Sequence, residues 1–205
     1  MNNGLKMIAP RLALLGLLLA ATYAGAAPTN FAIEPSESNE VAFTSRATGE
    51  TFEGRTHEIS GQFHFDPEDL SAQVGGKLVV DVLSLDTGIK LRNQHMQQNH
   101  LHPDVYPTME FVLEEIVSPP VTSMPDKQSI SLRARGKFTL HGMTRTIEPM
   151  LIVVFNSADS TLQVTARFKV KLPDYNISRP QFLFMKLAEE QDVKVQFIAR
   201  ETKGE

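Results

Sequence analysis

The chain has 205 residues, with 20 Lys and Arg against 24 Asp and Glu for a formal net charge of −4. It has no cysteine, which excludes a disulfide framework, a thiol nucleophile, a thiolate metal site and an N-terminal lipidated cysteine. The acidic balance argues against nucleic acid as a partner.

Residues 1–26 read as an export signal. Lys6 and Arg11 precede an apolar run from Leu12 to Ala21, and Ala24-Gly25-Ala26 has the small-x-small form of a signal-peptidase site. The run is about ten residues, short of the ~20 that span a membrane. Cleavage after Ala26 is therefore expected, leaving residues 27–205 as a single periplasmic or secreted domain. Cleavage removes two cations and no acid, so the mature net charge is −6.

Beyond this leader the chain alternates. Phe31 to Ile33 is a short opening strand and Glu34 to Asn39 a polar turn. Val41 to Arg46, Ser60 to Asp66 and Val74 to Leu85 then carry period-two patterns, with Gly75-Gly76 expected to mark a bulge. Alternation fails from Ile89 to His100, where a helix is expected, capped by Asp86 or Thr87 and ended before Pro103. A strand at Met109 to Val117 is followed by a loop at Ser118 to Gln128 that holds three prolines.

The clearest strand is Ser129 to Leu140. Ile130, Leu132, Ala134, Gly136, Phe138 and Leu140 face one way, and Ser, Arg, Lys and Thr residues face the other. A turn at His141 to Arg145, a strand at Thr146 to Phe155 and a turn at Asn156 to Ser160 follow. Thr161 to Leu172 repeats the pattern through Leu162, Val164, Ala166, Phe168, Val170 and Leu172. After an irregular lid-like stretch from Pro173 to Gln191, Val193, Val195, Phe197 and Ala199 repeat it again. These make eight or nine strands with short connections. They suit either a two-layer sandwich or a closed up-and-down barrel. Small residues on the apolar faces (Ala134, Gly136, Ala166, Ala199) favour an internal cavity over a packed lumen, although they would also fit a taper.

Four stretches carry a resemblance: Gly61-Gln62-Phe63-His64-Phe65-Asp66; Leu85-Asp86-Thr87-Gly88 running on to Arg92 and His95; Tyr106-Pro107-Thr108-Met109-Glu110-Phe111; and Gly136 through Thr144. In order and spacing they resemble the YceI-like family, from about Val41 to Ala199. The resemblance implies an all-β fold, an eight-stranded antiparallel lipocalin-like barrel with one short helix and an irregular lid. It also implies a tunnel for a long-chain hydrophobic ligand, above all a polyisoprenoid lipid, with prenyl phosphates, quinone-like lipids and fatty amides in the same class. No cofactor beyond such a lipid is expected. Asn93, where members commonly carry Asp, the stretch Leu101-His102-Pro103-Asp104 and the insertion-like Tyr175 to Pro180 mark a divergent branch.

On that reading the tunnel is expected to be lined by Ile130, Leu132, Ala134, Gly136, Phe138, Val164, Ala166, Phe168 and Phe197. Each methylene buried there is worth about 0.8 kcal/mol. Arg92 and His95, one helical turn apart, are candidates for a phosphate or quinone head group; otherwise Arg92 holds a loop carboxylate and His95 packs. His95, His100, His102, Asp104 and His141 resemble metal ligands only loosely, and no metal site is expected. No Gly-x-Ser-x-Gly elbow or phosphate loop is present, so catalysis is not expected. Arg133, Arg135, Lys137, Arg167, Lys169 and Lys171 suggest a basic outer stripe able to touch a membrane transiently. A homodimer is compatible with such a chain. The alternative function is a non-catalytic interaction or stress-response module with a packed barrel and a working outer surface.

Overall fold

The structure is a computed structural model, and it describes residues 28–202 apart from 48, 72, 119–121 and 183–184. The expected signal peptide lies outside the described residues. The strands are β1 (Thr29–Ile33), β2 (Glu40–Ala47), β3 (Glu50–Thr56), β4 (Ile59–Phe65), β5 (Gly75–Asp81), β6 (Thr108–Ser118) and β7 (Ser129–Leu140). They continue with β8 (Met143–Ile147), β9 (Met150–Asn156), β10 (Thr161–Lys171), β11 (Gln181–Phe182), β12 (Met185–Lys186) and β13 (Glu190–Glu201). One helix, α1 (Lys90–Met96), runs into a π-helical turn at Gln97–Leu101, and a 3-10 turn covers Leu172–Tyr175.

Several of these are interrupted halves of one strand. β8 and β9 meet β7 in a single register, Gly136 opposite Ile147 and Arg133 opposite Met150. They are parted only at Glu148-Pro149, because Pro149 has no N–H to give the ladder. β1-β2 and β3-β4 likewise form one long hairpin, with β1 on β4 and β2 on β3. Taken this way the sheet has eight antiparallel positions in chain order, and β13 closes it by pairing with both β1 and β2. It is an eight-stranded up-and-down barrel, and closure removes the exposed edges a sandwich would leave.

The seam is held by a buried polar residue. Between β1 and β2 the register on β13 slips, and Asn39, with no solvent exposure, fills the gap. Its side-chain amide donates to Glu34 O, its Oδ1 accepts from Ile198 N–H, and its own carbonyl accepts from His57 Nδ1. The Gly75-Gly76 pair forms no bulge. Each pairs in register with β4, Gly76 opposite Phe63 and Gly75 opposite His64, and a Cβ on either would lie within 2.6 Å of those rings. The register shifts lie instead on β6, between Leu113 and Glu115 and between Ile116 and Ser118.

The up-and-down order sorts the connections to two ends. The 66–71, 122–128 and 157–160 segments share one end, tied together by Leu70 N–H to Thr122 O, Met124 N–H to Pro67 O and Ser157 N–H to Asp126 Oδ1. There Phe31 stacks on Phe65 with centroids 4.6 Å apart, and Phe155 meets Phe31 edge-on. The helix, the His141-Gly142 turn and the 172–189 strap share the other end.

Candidate functional site

Inward-facing residues leave a cavity of about 810 Å³ along the barrel. Strand alternation builds it: Val41, Phe43, Ser45 and Ala47 line it from β2, and Gln191, Val193, Val195 and Phe197 from β13. Of the expected tunnel residues, Leu132, Phe138, Val164, Ala166, Phe168 and Phe197 line it; Ile130, Ala134 and Gly136 do not. Ile130 packs half-buried against the core. Gly136 makes room for another side chain rather than for ligand. A Cβ there would lie 2.3 Å from Val112 O and 2.5 Å from the ring of Phe111, and that ring is what reaches the lumen. Ala134 sits fully buried beside Ile116, where β6 is irregular.

The helix end forms the mouth. Ile89 and Leu91 line the cavity yet are 51% and 75% exposed. The helix has no side-chain cap: Ile89 is its N-cap, and the expected caps are engaged elsewhere. Asp86 Oδ1 accepts from Gly88 N–H and Asn93 Nδ2, which hold its carboxyl below the usual range, the Asn93 bond foremost. Asn93 Oδ1 in turn accepts from the Thr87 N–H and hydroxyl. Asn93 thus both donates and accepts, which an aspartate at this position would not do beside Asp86.

Arg92 is half-buried and heavily committed. It donates to Thr87 Oγ1 and Thr87 O, pairs with Glu50 at 3.0 Å and stacks 4.0 Å above the ring of Phe52. His95, also on the lining, lies ring to ring with His100 at 5.6 Å. Arg92 and His95 therefore reach the cavity together, with Arg92 already neutralised by a carboxylate.

Four of the six histidines form two pairs at this end. His100 Nδ1 meets Ser178 Oγ at 3.3 Å, and burial, together with the charges of His95 and His102, pushes its pKa down. His102, in the left-handed region at φ 47°, turns away to His141 at 3.0 Å. His141 Nδ1 lies 3.1 Å from Tyr175 O. Because a carbonyl only accepts, His141 carries its proton on Nδ1, and neutral His141 then accepts at Nε2 from His102. Tyr106 packs edge-on against His141, using space that a side chain at Gly142 would close. Helix exit, β7-β8 turn and strap are thereby joined. Among the described residues no three His, Asp or Glu form a metal-holding group.

On the outer wall, Arg133, Met150 and Arg167 lie side by side across β7, β9 and β10. Three of the six cations of the basic stripe are paired, and Arg133, Arg167 and Lys171 have no ion-pair partner among the described residues. Arg135 pairs with Glu115 and Glu148, Lys137 lies 4.0 Å from Glu114, and Lys169 bridges Glu190 and Asp192.

The family profile described as "YceI-like domain" matches residues 31–199. A UPF0312 protein of Vibrio cholerae serotype O1 is 30% identical over 95 residues, and the chain spans about half (46%) of its length. Among solved structures, Burkholderia cenocepacia BcnA has a TM-score of 0.66 at 21% identity, covering 81% of this chain and 98% of that one. A polyisoprenoid binding domain from Saccharophagus degradans, implicated in plant cell wall breakdown, also gives 0.66, at 16% identity and with 84% and 98% covered. At these identities the two structures speak for the fold.

Proposed function

Because the chain belongs to the YceI-like family, we propose that it is an exported binding protein that carries or sequesters a long-chain hydrophobic molecule, most of all a polyisoprenoid lipid. The observation that carries this reading is the cavity itself: about 810 Å³, continuous from the Phe65 end to the Leu91 rim. At ~30 Å³ per water-sized group it accepts roughly 25 carbons. At about 0.8 kcal/mol per methylene, such a chain needs no polar contact to bind tightly. The Lys6-to-Ala26 leader supports delivery to an exported compartment, where such a chain is insoluble without a carrier.

Exchange is assigned to the helix end. Ile89 and Leu91 are lining and rim at once, and Lys90 between them has no ion-pair partner among the described residues. That combination suits brief contact with an anionic bilayer, because it sets an unpaired cation between apolar side chains at the cavity rim, whereas the strand-face stripe lies away from the rim and has three of its six cations paired. The packed-barrel interaction module is the weaker reading, since a lumen of this size is not packed. The test is native mass spectrometry of the exported protein purified from its own host without detergent, followed by organic extraction. A stoichiometric long-chain lipid is expected. Protein that is reproducibly empty and also rejects added prenyl lipids would overturn the proposal.

A further inference from the structure

Three buried side-chain atoms among the described residues find no hydrogen-bond partner: Ser45 Oγ, Gln191 Oε1 and His100 Nε2. All three residues line the one large cavity. Ser45 is 0% and Gln191 5% exposed, so neither group is satisfied by bulk water. An unpaired buried polar atom costs about 1–3 kcal/mol, and three of them gathered on one apolar lumen call for an explanation.

Their positions bring them to the mouth half. Continuing the β2-β13 register one step past Thr44 opposite Asp192 sets Ser45 opposite Gln191. Both lie beneath the strap, where Gln191 Nε2 donates to Ala188 O and Ala188 N–H donates to Arg46 O. His100 is held to the same strap through Ser178. The Gln191 bond also fixes its amide: Ala188 O can only accept, so Nε2 is committed and Oε1 is left as a bare acceptor.

The charge on the lining points the same way. Arg92 is its only Lys or Arg, and it is paired with Glu50, which lines the cavity with Glu110. An anionic head group would meet an acceptor at Gln191 and no unpaired cation. We infer that Ser45 and Gln191, on the same lining as His100, form a head-group subsite for a neutral group that both donates and accepts hydrogen bonds, such as a terminal hydroxyl or primary amide. The inference rests on the proposed lipid-carrier reading and narrows it: the phosphate end of a prenyl phosphate does not fit, and a fully substituted ether or quinone lacks the donor Gln191 requires.

The test is a competition by native mass spectrometry on the mature protein with three probes that share one C20 prenyl chain: the alcohol, its methyl ether and its monophosphate. The alcohol is expected to lead both others by roughly tenfold, the worth of one or two net hydrogen bonds. Ser45→Ala with Gln191→Met should erase that lead, so that the alcohol and its methyl ether bind alike, and Ser45→Ala alone should leave the melting temperature of the empty protein unchanged or higher, because it removes an unpaired group. Equal binding of the three probes, or a lead for the phosphate, overturns the subsite and leaves the carrier reading standing. Loss of all binding in the unsubstituted protein overturns both. A lowered melting temperature in the variant with the alcohol's lead intact overturns the subsite by making the two groups structural.

Discussion

At the closed end of the barrel Phe31, Phe65 and Phe155 pack ring on ring, and three loops are laced together by hydrogen bonds. At the open end the helix has no buried residue, Ile89 and Leu91 face solvent, and histidines mix with the rings, His141 against Tyr106 beside the Phe138–Tyr175 pair. One end is built to hold the fold and the other to let something pass. The same strands serve both purposes because an inward position can be filled by a ring at one end and left open at the other.

The largest test of this division is Phe31→Ala. The ring is 1% exposed and stacked, so its loss should cost about 3–5 kcal/mol in urea unfolding. A cost below ~1 kcal/mol would mean the closed end is not the anchor. Asn39→Leu comes next, at about 2–3 kcal/mol, since it strands Ile198 N–H and Glu34 O inside the seam. Hydrogen exchange should quicken at Ile198 first. Ala166→Phe acts on the lumen between the two ends: it should cost ~1–3 kcal/mol and weaken lipid binding at least about tenfold. Gly136→Leu is the control, because it collides with Val112 and Phe111 and so destabilises the wall without being aimed at the ligand. Leu91→Glu at the rim should change stability by less than about 0.5 kcal/mol yet slow lipid transfer to anionic vesicles. Unchanged transfer would remove the rim from the exchange step.

Much of the barrel was legible because β7, β10 and β13 alternate without a break, and so was the turn at Asn156 to Ser160; the turn expected over His141 to Arg145 is shorter, since β8 already starts at Met143. β3 was not legible: Glu50–Thr56 has Phe52 as its single large apolar residue, so it shows no period. The small residues misled in part. Gly136 and Ala134 share the phase of Phe138, but phase tells which face a residue is on, not whether a neighbour's ring fills the space above it. Ser45 and Gln191 carried a signal that apolar alternation hides. Each stands in phase with a lumen face, Val41-Phe43 in one case and Val193-Val195 in the other, and a polar residue in that phase marks a place where the lumen is not plain hydrocarbon. His100 had no such signal, because its burial comes from the strap, which is distant in sequence.

The smallest effect is expected from pH, and it acts through His100 at the open end. Burial first, and then the charges of His95 and His102, hold His100 below its ordinary value of 6.5 in the folded chain. In the window between that ordinary value and the lowered folded one, the unfolded chain binds a proton that the folded chain does not. Stability from this site is therefore complete above the ordinary value and is lost as pH falls through the window. The melting temperature should drop as pH falls below the ordinary value of 6.5, and it should drop less in His100→Phe, which cannot titrate. Parallel curves for the two proteins would show that His100 takes no part. That loss falls where the helix meets the strap, since His100 is bonded to Ser178. Hydrogen exchange at mildly acid pH should therefore quicken at Leu101, Ile177 and the strap and stay level around Phe31 and Phe65, and acceleration at both ends together would mean that the barrel opens as a single unit.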